Sequence, residues 1–126
     1  MENEREKKSK LVIVALHDES VRETEIEWIR DIWRHDVIAA QNPEEALDML
    51  VTQNADAMLA DANFGNRGSK DYSFGVRAYR TAKEKRTAIV LVTGNDVSEV
   101  INAGVPEENV LGKPYRPNIL KGRLGL

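Results

Sequence analysis

The sequence predicts an α/β fold: a doubly wound, five-stranded parallel sheet with helices on both faces. Three observations predict it. Five short apolar runs alternate with segments whose apolar residues recur at helical spacing, the pattern of βαβ units joined by right-handed crossovers. The first run is apolar without a polar break, as a strand buried on both faces requires. Four of the runs stop at a polar residue able to do chemistry, and in such a sheet the carboxyl ends of the strands line the ligand-binding edge.

Each element follows from its residues. Residues 1–10 are almost wholly polar and predict a frayed tail, leaving one domain over 11–126. Leu11-Val12-Ile13-Val14-Ala15-Leu16 is the first strand. Ser20-Val21-Arg22-Glu23 reads as a capping box, opening a helix whose stripe is Ile26, Ile29 and Trp33, widened by Trp28 and Ile32. Val37-Ile38-Ala39-Ala40 is the second strand. Asn42-Pro43-Glu44-Glu45 joins a capping side chain, a first-turn proline and acids at the positive end of the helix dipole. Ala46, Leu47, Leu50 and Val51 give that helix its buried face.

Ala57-Met58-Leu59-Ala60 is the third strand, followed by a long loop over 62–73. Phe74, Val76, Ala78, Tyr79 and Ala82 mark the third helix, and residues 88–92 the fourth strand. Val97, Val100 and Ile101 sit on a short fourth helix closed by Gly104. Val110-Leu111-Gly112 is the fifth strand, and Pro117 opens a last helix carrying Ile119, Leu120 and Leu124.

Composition narrows the function. At 126 residues the chain holds one core. Its 18 basic residues are scattered and outnumbered by 21 acidic ones, so it has no nucleic-acid footprint. Cysteine is absent, which excludes thiolate catalysis and fits a reducing cytosol. No run reaches the roughly 18 apolar residues of a membrane span. A cytoplasmic protein without membrane attachment is expected.

The strand ends supply the chemistry. Asp61 follows the third strand and is placed to act as a nucleophile toward a phosphoryl donor; a plain turn aspartate is the alternative. His17, Asp18 and Glu19 follow the first strand. Magnesium takes oxygen ligands and keeps several waters, and Asp18 beside Asp61 supplies two, with Glu19 or His17 as a further candidate ligand. Alternatively, Asp18 or Glu19 serves the next helix electrostatically. Thr93 and Lys113 end the fourth and fifth strands and offer a hydroxyl and an ammonium to a transferring phosphoryl group.

The order His17-Asp18-Glu19, Asp61, Thr93-Gly94, Lys113-Pro114 resembles the receiver domain of bacterial two-component response regulators, the chemotaxis-protein-Y-like fold. The resemblance runs from Leu11 to Leu124. It implies a flavodoxin-like strand order 2-1-3-4-5 and a phosphoryl group accepted on Asp61 from a histidine kinase or phosphotransfer protein. It implies Mg²⁺ on Asp18, Asp61 and the backbone carbonyl of Asn63. It further implies that Thr93 binds the phosphoryl group and moves with it, that Lys113 pairs with the carboxylate or phosphate, and that the Lys113-Pro114 peptide is cis. Signalling then passes to a downstream protein partner, from a monomer or a weak homodimer, with no DNA-binding output domain in this chain.

Three departures qualify the resemblance. The family has two adjacent acids after the first strand; in the preferred register His17 replaces the first, and in the alternative Asp18 and Glu19 are the pair. His17 removes a negative charge there, lowering magnesium affinity and making it pH-sensitive; otherwise it is a polar residue facing solvent. The 62–73 loop is long, with Arg67 and Lys70 able to reach toward a phosphate, or it is merely a surface loop. Val110 stands where the family carries an aromatic switch residue, so a signal must travel through Thr93-Gly94-Asn95 or the fourth helix. Tyr115 is a partner-contact or a packing residue.

Two other functions fit the same residues less well. A degenerate receiver binds partners without phosphorylation, which His17 and Val110 favour and Asp61, Thr93 and Lys113 oppose. An aspartate-nucleophile phosphatase needs a second acid two residues after Asp61, and Asn63 cannot supply it.

Overall fold

The apolar runs become strands of one parallel sheet. In the computed structural model, which describes residues 9–126, the strands are β1 (Leu11–Ala15), β2 (Asp36–Ala39), β3 (Ala57–Asp61), β4 (Ala88–Thr93) and β5 (Val110–Gly112). The helices are α1 (Glu19–Glu27), α2 (Pro43–Thr52), α3 (Ser73–Lys85), α4 (Val97–Ala103) and α5 (Pro117–Arg123). The strand order is β2-β1-β3-β4-β5, with every pair parallel.

Strand alternation divides the core in two. Ile13, Ala15, Met58, Ala60, Ile89 and Leu91 point to one face, where they meet Ala46 and Leu50 of α2, Phe74, Ala78 and Ala82 of α3, and Val100 of α4. Val12, Val14, Leu59, Val90 and Val92 point to the other, against Ile29, Leu120 and Leu124. Helices cover both faces, as the unbroken apolar strands require.

Some local expectations change. The expected tail over 1–10 falls, for its first eight residues, outside the described residues. Lys10 belongs with the sheet: its N–H donates to His35 Nδ1 at 3.0 Å and its carbonyl accepts from the Asp36 N–H. Asp18, not Ser20, caps α1; its Oδ1 accepts from the N–H groups of Ser20 and Val21 and from the Ser20 hydroxyl. The expected stripe of this helix also slips, because α1 runs into a π turn over Trp28–Ile32. The wider turn rotates the later side chains, so Ile29 is buried while Ile32 faces solvent.

Asn42 caps α2 as expected, accepting from the Glu45 N–H, while Glu45 accepts from the Gln41 N–H. Val51, assigned to the buried face of this helix, is exposed, as is Ile119 on α5. Ser73, assigned to the loop, opens α3, its N–H and hydroxyl both donating to Asp71.

Candidate functional site

Asp61 is the last residue of β3, between β1 and β4, and is only 2% exposed. A buried carboxylate needs a counter-charge and hydrogen bonds, and this one has both. Its Oδ1 accepts from Lys113 Nζ at 2.7 Å, and its Oδ2 accepts from the His17 N–H at 2.7 Å. The sheet register sets this up. Asp61 lies opposite Val92, and Val92 opposite Leu111; Lys113 follows two residues later, its N–H donating to the Thr93 carbonyl at 2.8 Å, and its side chain reaches back from the end of β5 to Asp61. The Lys113-Pro114 peptide is cis.

Thr93 is buried, and its Oγ1 accepts from the Asn95 N–H at 3.0 Å, which leaves the hydroxyl hydrogen to donate elsewhere. His17 does not face solvent. Its side chain is 14% exposed, with Nε2 3.8 Å from Asp61 Oδ2 and 3.2 Å from Asn63 Oδ1, and the ring lies 5.5 Å from that of Phe64. Asp18 turns Oδ1 into the α1 cap, while Oδ2 lies 3.6 Å from an Arg67 nitrogen. The Val21 N–H, then the Ser20 hydroxyl, hold its carboxyl below the ordinary aspartate value. Glu19 is exposed in the first turn of α1 and does not line the cavity at this edge.

That cavity, of 380 Å³, is lined by His17, Asp18, Asn63, Arg67, Asn95 and Lys113 among others. It lies beside Asp61, which both His17 and Lys113 touch. Among the described residues no group of three or more histidines and acids gathers at metal-binding spacing. A buried aspartate able to coordinate Mg²⁺ is nonetheless present, and Asp18 Oδ2 and the Asn63 carbonyl are oxygen donors of the right hardness. The donor set fits a hydrated, hard cation.

No family model matches this sequence, and no curated protein does. Solved structures match it in shape. A response regulator receiver protein from Sinorhizobium medicae WSM419 has a TM-score of 0.72 at 22% identity, over 94% of this chain and 93% of that one. A receiver protein from Pseudomonas putida gives 0.69 at 23%, over 94% and 98%. A response regulator protein from Burkholderia pseudomallei, solved with a phosphorylated aspartic acid, a calcium ion and citrate, gives 0.66 at 20%, over 92% and 66%. This chain has the receiver-domain fold.

Within the receiver fold, Val110 is a buried core residue. The loop over 62–72 carries the more informative departure. Asn63 Nδ2 donates to the Ser69 carbonyl at 2.9 Å, and Asn95 Nδ2 donates to the same carbonyl at 3.4 Å and to the Tyr72 hydroxyl at 2.9 Å. The Tyr72 hydroxyl in turn donates to Glu99 Oε1 at 2.9 Å, and Lys70 Nζ bonds Glu99 Oε2 at 3.0 Å. Lys70 is thus held on α4, away from the cavity, while Arg67 lines it. Sequence reading passed over Tyr72, Asn95 as a side chain, and Glu99. The available signal was Tyr72 itself, an aromatic residue in a polar segment.

Proposed function

We propose that this protein is a two-component receiver, whose Asp61 accepts a phosphoryl group from a histidine kinase or phosphotransfer protein and which signals through protein-protein contacts. The observation that carries the reading is the buried Asp61 carboxylate held at 2.7 Å by Lys113 at the carboxyl edge of the sheet. One Asp61 oxygen attacks phosphorus, the bond from phosphorus to the donor's leaving atom breaks, and an acyl phosphate remains on Asp61. The Lys113 ammonium holds the nucleophile and then faces the charge developing on the phosphoryl oxygens. The Thr93 hydroxyl, one residue beyond the Asp61 partner Val92 on the neighbouring strand, has its hydrogen available for the same oxygens.

Asp18, Asp61 and the carbonyl of Asn63 would hold Mg²⁺ with waters completing its shell, and the ion would supply charge neutralisation for the incoming group. Asn63, two residues on from the nucleophile, offers no general acid, which supports a stable acceptor over a hydrolytic enzyme. The test is incubation with Mg²⁺ and a small acyl or amido phosphate, followed by intact mass. One added phosphate in the wild type and none in Asp61→Asn is expected. Absence of any adduct would leave the phosphorylation-independent binding module as the function.

A further inference from the structure

We propose that Arg67 stabilises the phosphoryl group on Asp61, exchanging Asp18 for the phosphoryl oxygens and supplying part of the positive charge that a divalent cation would otherwise bring. The inference rests on the receiver reading above. It starts from the charges around the cavity. Asp18 and Asp61 are balanced by Lys113 and Arg67, before His17 is counted. A cation entering meets carboxylates that already have cationic partners, whereas phosphorylation of Asp61 adds one negative charge to a cavity lined by Lys113 and Arg67.

The carboxylate of Asp18 is also committed on both sides. Oδ1 caps α1 through Ser20 and Val21, and Oδ2 faces the Arg67 guanidinium. Among the described residues Asp18 is the one partner of Arg67, at 3.6 Å, longer than a hydrogen bond. The Arg67 side chain is 70% exposed, and an exposed pair of this kind contributes little, so leaving it costs little. A guanidinium presents a rigid fork of donors matched to phosphate oxygens. Lys70, the other cation of the loop, is hydrogen-bonded to Glu99 at 3.0 Å and does not line the cavity. When Asp61 attacks an acyl phosphate, the phosphorus–oxygen bond to the leaving carboxylate breaks and no proton moves. The added charge is then all on the phosphoryl oxygens beside Arg67.

The proposal makes two predictions of opposite sign for one substitution. Labelling of Asp61 by acetyl phosphate in chelator, without added metal, is followed by intact mass for wild type, Arg67→Ala and Arg67→Lys. Binding of Mn²⁺, used as the probe ion, is measured by calorimetry on the same unphosphorylated proteins. Arg67→Ala should lower the metal-free labelling rate about tenfold, with Arg67→Lys between. It should raise Mn²⁺ affinity about threefold, because a like charge leaves and Asp18 Oδ2 is freed. Equal metal-free rates in wild type and Arg67→Ala, or weaker Mn²⁺ binding in the variant, would overturn it. A wild type labelled with Mg²⁺ and not at all in chelator sinks this inference alone and leaves the receiver reading standing. A wild type labelled under neither condition sinks both.

Discussion

Asp18 caps a helix with a carboxylate that also lines the cavity beside Asp61. Its Oδ1 accepts two backbone N–H groups and the Ser20 hydroxyl, and losing such a cap costs about 1 kcal/mol. Asp18→Ala should therefore lower the unfolding free energy, measured by urea titration, by about 1 kcal/mol. Asp18→Asn keeps an acceptor oxygen and should stay within about a few tenths of a kcal/mol of wild type. Both remove the negative charge, so both should weaken Mg²⁺ binding. Equal destabilisation by Asn and Ala would show that the cap is not what Asp18 contributes. Tyr115 gives a second test at this scale. Its hydroxyl donates to Glu25 Oε2 at 2.8 Å. Burial, then the Glu25 charge, raises its phenol well above the ordinary value. A group raised in the folded state contributes stability that is full below its unfolded value and lost as pH rises. The alkaline loss therefore begins near pH ~10. Burial likewise raises the Glu25 carboxyl, so its contribution fades as pH climbs through its folded value. Tyr115→Phe should cost about 1 kcal/mol at neutral pH and flatten the fall in stability above pH ~10, measured by urea unfolding across pH. An alkaline limb as steep as that of wild type would contradict the assignment.

Elements differ in how plainly the sequence announces them, and the reason is range. Strands and most caps are local: the run from Leu11 forms its strand, one residue shorter than the apolar run, and the Asn42-Pro43 start and the Gly104 stop are found where neighbouring residues put them. The π turn at Trp28–Ile32 escaped because one extra residue in a turn is decided by packing, and the expected burial of Ile32 failed with it. The site divides the same way. Strand placement alone brings Asp61, Lys113 and Thr93 to one edge. The partners of the 62–72 loop were illegible, because Asn95 and Tyr72 meet across 23 residues and Tyr72 and Glu99 across 27. Beside the Lys70–Glu99 and Asn95–Ser69 contacts, that loop is tied at its far end by a buried phenol, whose hydroxyl donates to Glu99 and accepts from Asn95. Tyr72→Phe removes both bonds while leaving the buried ring, and should cost about 1–2 kcal/mol. Amide hydrogen exchange should quicken in the loop and in the Thr93-Gly94-Asn95 turn together. Exchange that quickens in the loop alone would show that the two are not coupled.

For the molecule as a whole, the two faces of the sheet are not equally secured. One face has buried anchors on three helices, α2, α3 and α4. On the other, α1 itself contributes no buried residue. The segment is fixed mainly by Ile29 in the π turn, with Ile26 and Trp33 partly buried beside it. The Ile29 carbonyl also accepts from the His35 N–H at 2.9 Å, so the same residue ties the helix to the approach to β2. Ile29→Ala should cost about 2–5 kcal/mol, as should Leu50→Ala on the opposite face. The consequences should nonetheless differ. Around Leu50 the buried Ala46 and the Asn42 cap still hold α2, whereas α1 is left with the partly buried Ile26, the Asp18 cap and the Glu25–Tyr115 bond. Ile29→Ala should therefore open α1 in a step of lower free energy than global unfolding. It should carry away the Asp18 cap and the Glu25–Tyr115 bond, while the sheet and its Asp61–Lys113 pair persist. Hydrogen exchange with mass spectrometry distinguishes the cases: amides across residues 17–33 should lose protection well before those of β3 and β4. Uniform loss across helix and sheet would mean that α1 is secured by the sheet as firmly as the helices on the other face.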